Sequence, residues 1–265
     1  SRSLATSLTD RYAIHSSSDG VSWTDRSFTT QSPRPFGKPH HVYDLIHTGT
    51  HWMAAAQEAV LKSADGISWS EHRVGYENRG IAANDGGHRL VVVGGDEGDQ
   101  EGEWFTSSDG GLSWDALFIA SPFLRDVIWT GTQFLAVGDL GTIYTSPTGA
   151  PNEWTRRSSG TLLPLRGALA QPSGLVVVGG LDGSPVILTS PDGVQWSPQP
   201  APGPELLYSI TQAGNLFVAT GTDGAVRTSP DARNWTRWLT PTTHELYAAA
   251  WDGRQLLVAG EGGSI

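Results

Sequence analysis

The sequence predicts an all-β fold, a six-bladed β-propeller whose blades are four-stranded antiparallel sheets. Two short patterns predict it: one reads S-x-D-G-x-x-W, and the other is an apolar strand, a turn and a second strand that ends in Gly or another small residue. Each pattern occurs six times, some copies being degenerate, and the two alternate along the chain. Their period of about 40 residues, with several strands in every unit, is typical of propeller blades.

Each repeat contains four strands, A to D, which are clearest in the third copy. Strand A is Leu124–Trp129, strand B is 133–137, strand C is Thr142–Ser146, and strand D starts at Trp154. These runs are short, rich in Val, Ile, Phe, Tyr and Trp, and closed by Gly-rich or polar turns, as strands are. The six A–B pairs are expected at residues 41–56, 79–95, 124–138, 165–180, 207–221 and 246–260.

We expect a single domain, residues 1–265, in which the two chain ends share one blade. The chain opens with a C strand that starts at Tyr12, and it closes with A and B strands. A blade made of A and B from one end and C and D from the other would close the ring and hide its edges. Ile265 and Ile14 fall at the same repeat position, so a propeller of seven blades is the alternative.

The S-x-D-G-x-x-W pattern is expected to be the turn between strands C and D. The Asp carboxylate can accept backbone N–H groups of its own turn, and the Gly supplies a positive φ. The Trp ring can pack beneath the turn. In one copy Thr148 stands where the others have Asp. We therefore predict a structural role for the five aspartates of this pattern, Asp19, Asp65, Asp109, Asp192 and Asp231.

The repeated turn resembles the Asp box, or BNR repeat, of propellers known from sialidases and many secreted proteins. The resemblance covers the whole chain and implies a box lying away from the functional face. Sialidases also carry an Arg-Ile-Pro motif, an Arg triad and a Tyr–Glu pair; Arg34-Pro35 does not match the first, and no Tyr–Glu pair can be assigned. The L-R-[DG] opening of strand A is more similar to propellers of the photosystem II assembly-factor type. That resemblance implies a non-enzymatic binding protein with Arg at its channel mouth.

The composition argues against several classes of partner. A formal net charge of −10 disfavours a broad surface for nucleic acid or anionic lipid. The chain contains no Cys, which excludes disulfides and thiolate chemistry, and no apolar stretch long enough for membrane insertion. It starts at Ser1 without a hydrophobic signal segment, as a secreted or periplasmic protein would after signal removal. We expect an extracytoplasmic protein, although a trimmed chain would look the same.

The first residues of the six A strands are the candidate binding site. Strand A is the innermost strand of a propeller blade, so these residues are expected to line the channel mouth. Arg can pair with a carboxylate, sulfate or phosphate, and Tyr offers an aromatic face and a hydroxyl. The alternative is that each Arg pairs with a neighbouring acid such as Asp126. The equivalent positions around the ring are Tyr43, Arg79, Arg125, Arg166, Tyr208 and Tyr247.

Other polar groups have simpler interpretations. The B–C loops each carry an acid, in most cases beside Gly, which favours turn chemistry over catalysis; these acids are Glu58, Asp96, Asp139, Asp182, Asp223 and Glu261. The acidic loop at 96–103 could hold a cation such as Ca²⁺, but its spacing is not that of an EF-hand and we favour a solvated loop. Two of the clustered histidines, His47 and His51, could meet, whereas His40 and His41 belong at the other end of strand A. No metal or cofactor is therefore expected.

We therefore expect a non-enzymatic binding propeller that recognises an anionic small molecule, a glycan or a protein segment at the channel mouth. The alternative is a glycan-active enzyme, either a sialidase-like glycoside hydrolase or a polysaccharide lyase. That alternative needs an assignable acid–base pair, and the sequence offers none.

Overall fold

The computed structural model describes residues 2–4, 11–29, 40–96, 101–117, 119–238 and 240–263. These residues form β-strands and a single 3₁₀ turn at Glu261–Gly263, and none of them lies in an α-helix. No helix in the described ranges is long and apolar enough to cross a membrane. The chain divides into two compact units, residues 1–134 with 147–153 and residues 135–146 with 154–265. The all-β prediction is confirmed, whereas the single domain stays a prediction.

Twelve strands precede residue 130. They are β1 (Arg2–Leu4), β2 (Arg11–Tyr12), β3 (His15–Ser17), β4 (Thr24–Asp25), β5 (Phe28–Thr29), β6 (Val42–His47), β7 (Trp52–Ser63), β8 (Ser70–Ala83), β9 (Leu90–Asp96), β10 (Glu101–Ser107), β11 (Asp115–Leu117) and β12 (Leu124–Trp129).

Thirteen strands follow. They are β13 (Phe134–Gly138), β14 (Thr142–Ser146), β15 (Thr155–Arg157), β16 (Leu165–Gln171), β17 (Gly174–Leu181), β18 (Ser184–Ser190), β19 (Ser197–Pro198), β20 (Leu207–Ala213), β21 (Leu216–Gly221), β22 (Val226–Ser229), β23 (Thr236–Trp238), β24 (Leu246–Trp251) and β25 (Leu256–Gly260).

The predicted four-stranded repeat is present. Three sheets have the orders β12-β13-β14-β15, β16-β17-β18-β19 and β20-β21-β22-β23. Strands β6 to β11 form one six-stranded sheet, because two of them, β7 and β8, are long enough to contain two strands of the repeat each. The start of β8 pairs with β7 and its end pairs with β9, so β8 is the D strand of one repeat and the A strand of the next. Strand β7 likewise contains a B strand and a C strand.

The two chain ends differ from the expected shared blade. Strand β3 pairs with β1 on one side and β4 on the other, and β25 pairs with β24. The N-terminal strand β1 therefore occupies the edge of β3 that the sequence assigned to a strand from the C-terminal end. All six predicted A strands are nevertheless present, as β6, the end of β8, β12, β16, β20 and β24. The propeller fold class predicted from the repeats is thus retained.

The B strands form the core of each unit. In the first unit, Leu90 and Val92 of β9 pack with Met53 and Val60 of β7. In the second unit, Val176 and Val178 of β17 belong to one buried cluster with Phe217 of β21 and its neighbours. The hydrophobic runs that mark these strands in the sequence therefore bury apolar side chains between successive repeats.

The S-x-D-G-x-x-W turns have a common set of hydrogen bonds, illustrated by the first copy. The Asp19 carboxylate accepts the backbone N–H groups of Val21 and Ser22, both at 2.8 Å, and the hydroxyl of Ser17 at 2.8 Å. Gly20 N donates to the Ser17 hydroxyl at 2.8 Å. These bonds, led by the one from Ser22, lower the pKa of Asp19 to about 2. Corresponding bonds form at Asp65, Asp109, Asp192 and Asp231.

Replacement of the carboxylate should weaken the turn without affecting ligand binding. We expect Asp192→Ala to lower the melting temperature by about a few degrees, because the N–H of Val194 loses its acceptor. Backbone N–H bonds lower the pKa of Asp192, so its contribution is present above its unfolded pKa of about 4 and is lost as the pH falls below it. Thermal melts at neutral and acidic pH measure this. Lost ligand binding with an unchanged melting temperature would contradict it.

Candidate functional site

The A strands share a structural irregularity at the predicted site residues. The register between strands A and B shifts by one residue in five repeats, which is the pattern of a β-bulge. A bulge redirects the side chain of the extra residue and often lies beside a functional site. Arg125 holds the corresponding place in β12. The residues at the five shifts are Tyr43, Arg79, Arg166, Tyr208 and Tyr247.

The bulge explains why the second sequence pattern ends in Gly. Two residues before each bulge, a carbonyl of strand A turns towards strand B and accepts a backbone N–H; for example, Gly180 N donates to Pro164 O at 2.8 Å and Thr222 N donates to Leu206 O at 3.0 Å. A Cβ added to the facing glycine would overlap this carbonyl. The sequence pattern therefore encodes the bulge, and the bulge positions the candidate side chains. The glycines concerned are Gly94, Gly179, Gly221 and Gly260.

In the first unit, four side chains form a continuous cluster, which we call the first-unit cluster: Tyr43, Arg79, Phe123 and Arg125. The Arg79 guanidinium lies 4.2 Å from the centre of the Tyr43 ring and 5.5 Å from that of Phe123. The Arg125 guanidinium lies 5.0 Å from the centre of the same Phe123 ring. Cation–π contacts of this kind hold both guanidinium groups against aromatic faces.

One arginine of this cluster, Arg79, has an acidic partner on its own strand. Arg79 forms a 2.8 Å ion pair with Glu77 of its own strand, and both side chains are largely buried. The interpretation of an Arg paired with a neighbouring acid therefore holds for Arg79. The charge of its guanidinium is therefore partly neutralised before any ligand arrives.

In the second unit, the second-unit cluster contains Arg166, Tyr208, Tyr247 and Glu245. The Arg166 guanidinium lies 5.5 Å from the centre of the Tyr208 ring, and the Tyr208 and Tyr247 rings meet edge to face with centres 5.3 Å apart. The Tyr208 hydroxyl donates to Glu245 at 3.1 Å. Burial, followed by the Glu245 charge, raises the pKa of Tyr208 to about 12. The hydrogen bond with Glu245 raises the pKa of Tyr247.

The structure thus brings the predicted residues together within each unit, as Tyr43 with Arg79 and Arg125, and as Arg166 with Tyr208 and Tyr247. Convergence of all three arginines concerns both units and stays a prediction. Sequence reasoning missed Phe123 and Glu245. Both lie close before an A-strand bulge residue, two positions from Arg125 and Tyr247 respectively, so a search of the segments preceding the A strands could have found them.

Three of the loop acids, Asp139, Asp182 and Asp223, lie in turns as their interpretation requires, whereas Asp96 is the last residue of β9. Glu58 and Asp223 have positive φ, at 59° and 52°. Glu58 pairs with Arg73 at 2.9 Å, and Asp182 accepts the Thr222 hydroxyl at 3.1 Å. Part of the acidic loop, residues 97–100, and the Arg34-Pro35 pair lie outside the described residues.

The histidines are separated as expected. His40 lies against Tyr12 and His41 against Tyr43, with ring centres 4.9 and 5.8 Å apart. His47 packs on Trp52 at 4.7 Å, at the other end of β6. In the part of the chain that the structure describes, no group of three His, Asp or Glu side chains is arranged to hold a metal ion.

A second group of charges is buried in the second unit. Arg227 of β22 is fully buried and donates to Glu205 at 2.9 Å. Arg237 of β23 forms a further ion pair with the other carboxylate oxygen of Glu205. One buried carboxylate thus pairs with two guanidinium groups, of which that of Arg227 is fully buried and that of Arg237 is 38% exposed.

Comparison with known proteins supports the fold. No family model matches the chain, and no curated protein matches it. YCF48 bound to D1 peptide superposes with a TM-score of 0.64 and 18% identity over 83% of this chain and 75% of that chain. YCF48 from Cyanidioschyzon merolae superposes with a TM-score of 0.63 and 15% identity, over 98% of this chain and 94% of that chain. A chain in the crystal structure of the Mitotic Checkpoint Complex superposes with a TM-score of 0.70 and 13% identity, over 97% of this chain and 83% of that chain. The chain therefore has a β-propeller fold similar to that of a photosystem II assembly factor.

Proposed function

We propose that the protein is a non-enzymatic β-propeller that binds an anionic group on a segment of a partner protein. The observation that carries this proposal is the repeated bulge in strand A, which gathers Arg and aromatic side chains into the first-unit and second-unit clusters. A guanidinium beside an aromatic ring can pair bidentately with a carboxylate. The adjoining rings supply an apolar surface for the rest of the segment.

The structural neighbours favour a protein segment over a small molecule or a glycan. YCF48, which shares the fold, is described bound to a D1 peptide. We also propose that the repeated turn is a true Asp box, because its Ser, Asp and Gly form the same hydrogen bonds in copy after copy. An extracytoplasmic location belongs to this proposal and rests on the resemblance to secreted Asp-box proteins.

One arrangement favours the alternative of a glycan-active enzyme. Tyr208 and Glu245 form a Tyr–Glu pair at 3.1 Å that the sequence alone did not reveal. A nucleophilic Tyr needs a lowered pKa, however, whereas the pKa of Tyr208 is raised to about 12. If the chain hydrolysed an aryl glycoside and Tyr208→Phe abolished this activity, the enzyme would replace the binding protein as the proposed function.

The binding role is tested by removing one guanidinium from each cluster. We expect Arg125→Ala combined with Arg166→Ala to weaken binding of a hexaglutamate peptide by about tenfold or more, since charged hydrogen bonds are among the strongest. Arg79 is kept because Glu77 already pairs with it. Fluorescence anisotropy at low and high ionic strength measures the affinity, which should fall with added salt.

A matched control removes the same charge elsewhere. Arg233 lies in an S-x-D-G-x-x-W turn and Arg254 in the turn after β24, and both are exposed. Arg233→Ala combined with Arg254→Ala should leave the affinity unchanged. Equal affinity of all three proteins would remove the two clusters from consideration as the binding site.

A further inference from the structure

Three leucines are exposed on neighbouring loops of the second unit. Leu140 follows β13, Leu162 precedes β16, and Leu181 ends β17; their exposed fractions are 58%, 77% and 48%. Single exposed apolar residues are common on protein surfaces, but a contiguous group usually marks an interaction site.

Backbone contacts join the loops that carry them. Gly141, next to Leu140, packs against the backbone of Thr161, next to Leu162. Gly180, next to Leu181, donates its N–H to Pro164 O at 2.8 Å, two residues beyond Leu162. The loop that carries Leu162 thus touches each of the other two loops, and the strand that follows Pro164 carries Arg166 of the second-unit cluster.

The turn that carries Leu140 is unsuited to leucine. Leu140 and Gly141 have φ of 54° and 63°, and Thr142 N donates to Asp139 O at 3.1 Å. A two-residue hairpin turn of this kind favours Asn or Asp before Gly. The same turn later in the unit follows that rule: Asp223 and Gly224 have φ of 52° and 66°, and Ala225 N donates to Thr222 O at 2.9 Å. Turn chemistry therefore does not explain an exposed leucine at position 140.

Arginines lie in the segment that carries Leu162, whereas an aspartate adjoins each of the other two leucines, Asp139 before Leu140 and Asp182 after Leu181. Residues 154–166 contain three arginines, Arg156, Arg157 and Arg166, and no acid, in a chain whose formal net charge is −10. Arg156 is exposed on β15, directly before the loop that carries Leu162. Such a segment is complementary to an acidic partner.

We propose that Leu140, Leu162 and Leu181, with the arginines of residues 154–166, form a docking surface for an acidic protein segment that also carries aliphatic side chains. This proposal rests on the proposed function and adds to it the apolar half of the recognition. The arginines attract and orient the acidic groups, and the leucines are covered by the aliphatic side chains. Leu140 is retained in an unfavourable backbone conformation because it contacts the partner.

The test uses two synthetic peptides with equal numbers of Glu, one with three Leu and the other with Ser in their place. The wild type should bind the Leu peptide about five- to tenfold more tightly. Leu140→Asn should remove most of this preference while the melting temperature stays the same or rises, because Asn suits the turn. Leu216→Asn, which removes an exposed leucine from the start of β21, should change neither the preference nor the affinity.

The possible outcomes separate this proposal from the proposed function. If both peptides bind equally and Leu140→Asn has no effect, while the double Arg variant still weakens binding, the docking surface is wrong and the proposed function stands. If the wild type binds neither peptide, both are overturned. A fall in the melting temperature of Leu140→Asn would show that Leu140 serves the fold, which would overturn the docking role.

Discussion

Replacing Glu205 with alanine is expected to lower the free energy of unfolding by about 3–5 kcal/mol. The side chain is 2% exposed and lies between two guanidinium groups, those of Arg227 and Arg237. Arg227 is itself fully buried, and Glu205 is its ion-pair partner. Without the carboxylate, a positive charge would remain in the interior with neither water nor an opposite charge beside it.

The reverse substitution should behave quite differently. Arg227 lies two residues before the Ser of its S-x-D-G-x-x-W turn, and the same place in the preceding repeat holds Leu188. Buried ion pairs are often replaced by apolar residues at little cost, because desolvation consumes most of the Coulombic attraction. Glu205 would also keep Arg237 as its partner. We therefore expect Arg227→Leu to change the free energy of unfolding by less than about 1 kcal/mol.

The contribution of Glu205 should also depend on pH. Burial alone would raise its pKa, but the hydrogen bond from Arg237 and the charges of both arginines outweigh burial and lower it. Because the folded-state pKa is lowered, the stabilisation is present above the unfolded pKa of about 4.3 and is lost as the pH falls below it. Urea unfolding at pH 7 and near pH 3 measures the free energy of unfolding. Between these two pH values it should change less in Glu205→Ala than in the wild type. A loss below about 1 kcal/mol for Glu205→Ala would contradict the argument.

The fold and the positions of the candidate residues could be predicted because both follow from a repeat. The S-x-D-G-x-x-W turn marks the same position in each sequence repeat. Alignment of the six A strands therefore placed Tyr43, Arg166 and Tyr208 at equivalent positions. The structure shows that the equivalence is physical, since each lies at a register shift. Arg79 lies at such a shift as well.

Features that occur in a single repeat could not be predicted in this way. The pairing of Arg79 with Glu77 depends on how β8 continues from one repeat into the next, which shortens the connection before this A strand. The ion pairs of Glu205 join residues more than twenty positions apart, and Arg227 replaces an apolar residue without any compensating local pattern. The edge pairing of β1 with β3 is likewise a property of the chain end and not of the repeat.

Gly221→Ala is the substitution expected to disturb a binding cluster through the backbone. A Cβ at this position would overlap the carbonyl of Leu206, and the A strand cannot simply move away because Leu206 and Leu207 are buried. We expect a loss of about 3 kcal/mol in the free energy of unfolding, at the upper end of the usual cost of overpacking. Because Leu207 directly precedes Tyr208, the bulge would shift, and peptide binding should weaken beyond what the loss of stability explains.

The first repeat supplies the control for this prediction. It already carries Ala56 where Gly221 stands in the fifth, facing Val42 across a bulge of the same kind. Strand β6 is less buried than β20 at this point, so it can accommodate a Cβ that the fifth repeat cannot. Ala56→Gly should therefore cost only about 1 kcal/mol, from added backbone entropy and one lost methyl group. If Gly221→Ala cost no more than Ala56→Gly in urea unfolding, the close approach of strands A and B would not be what requires glycine in this pattern.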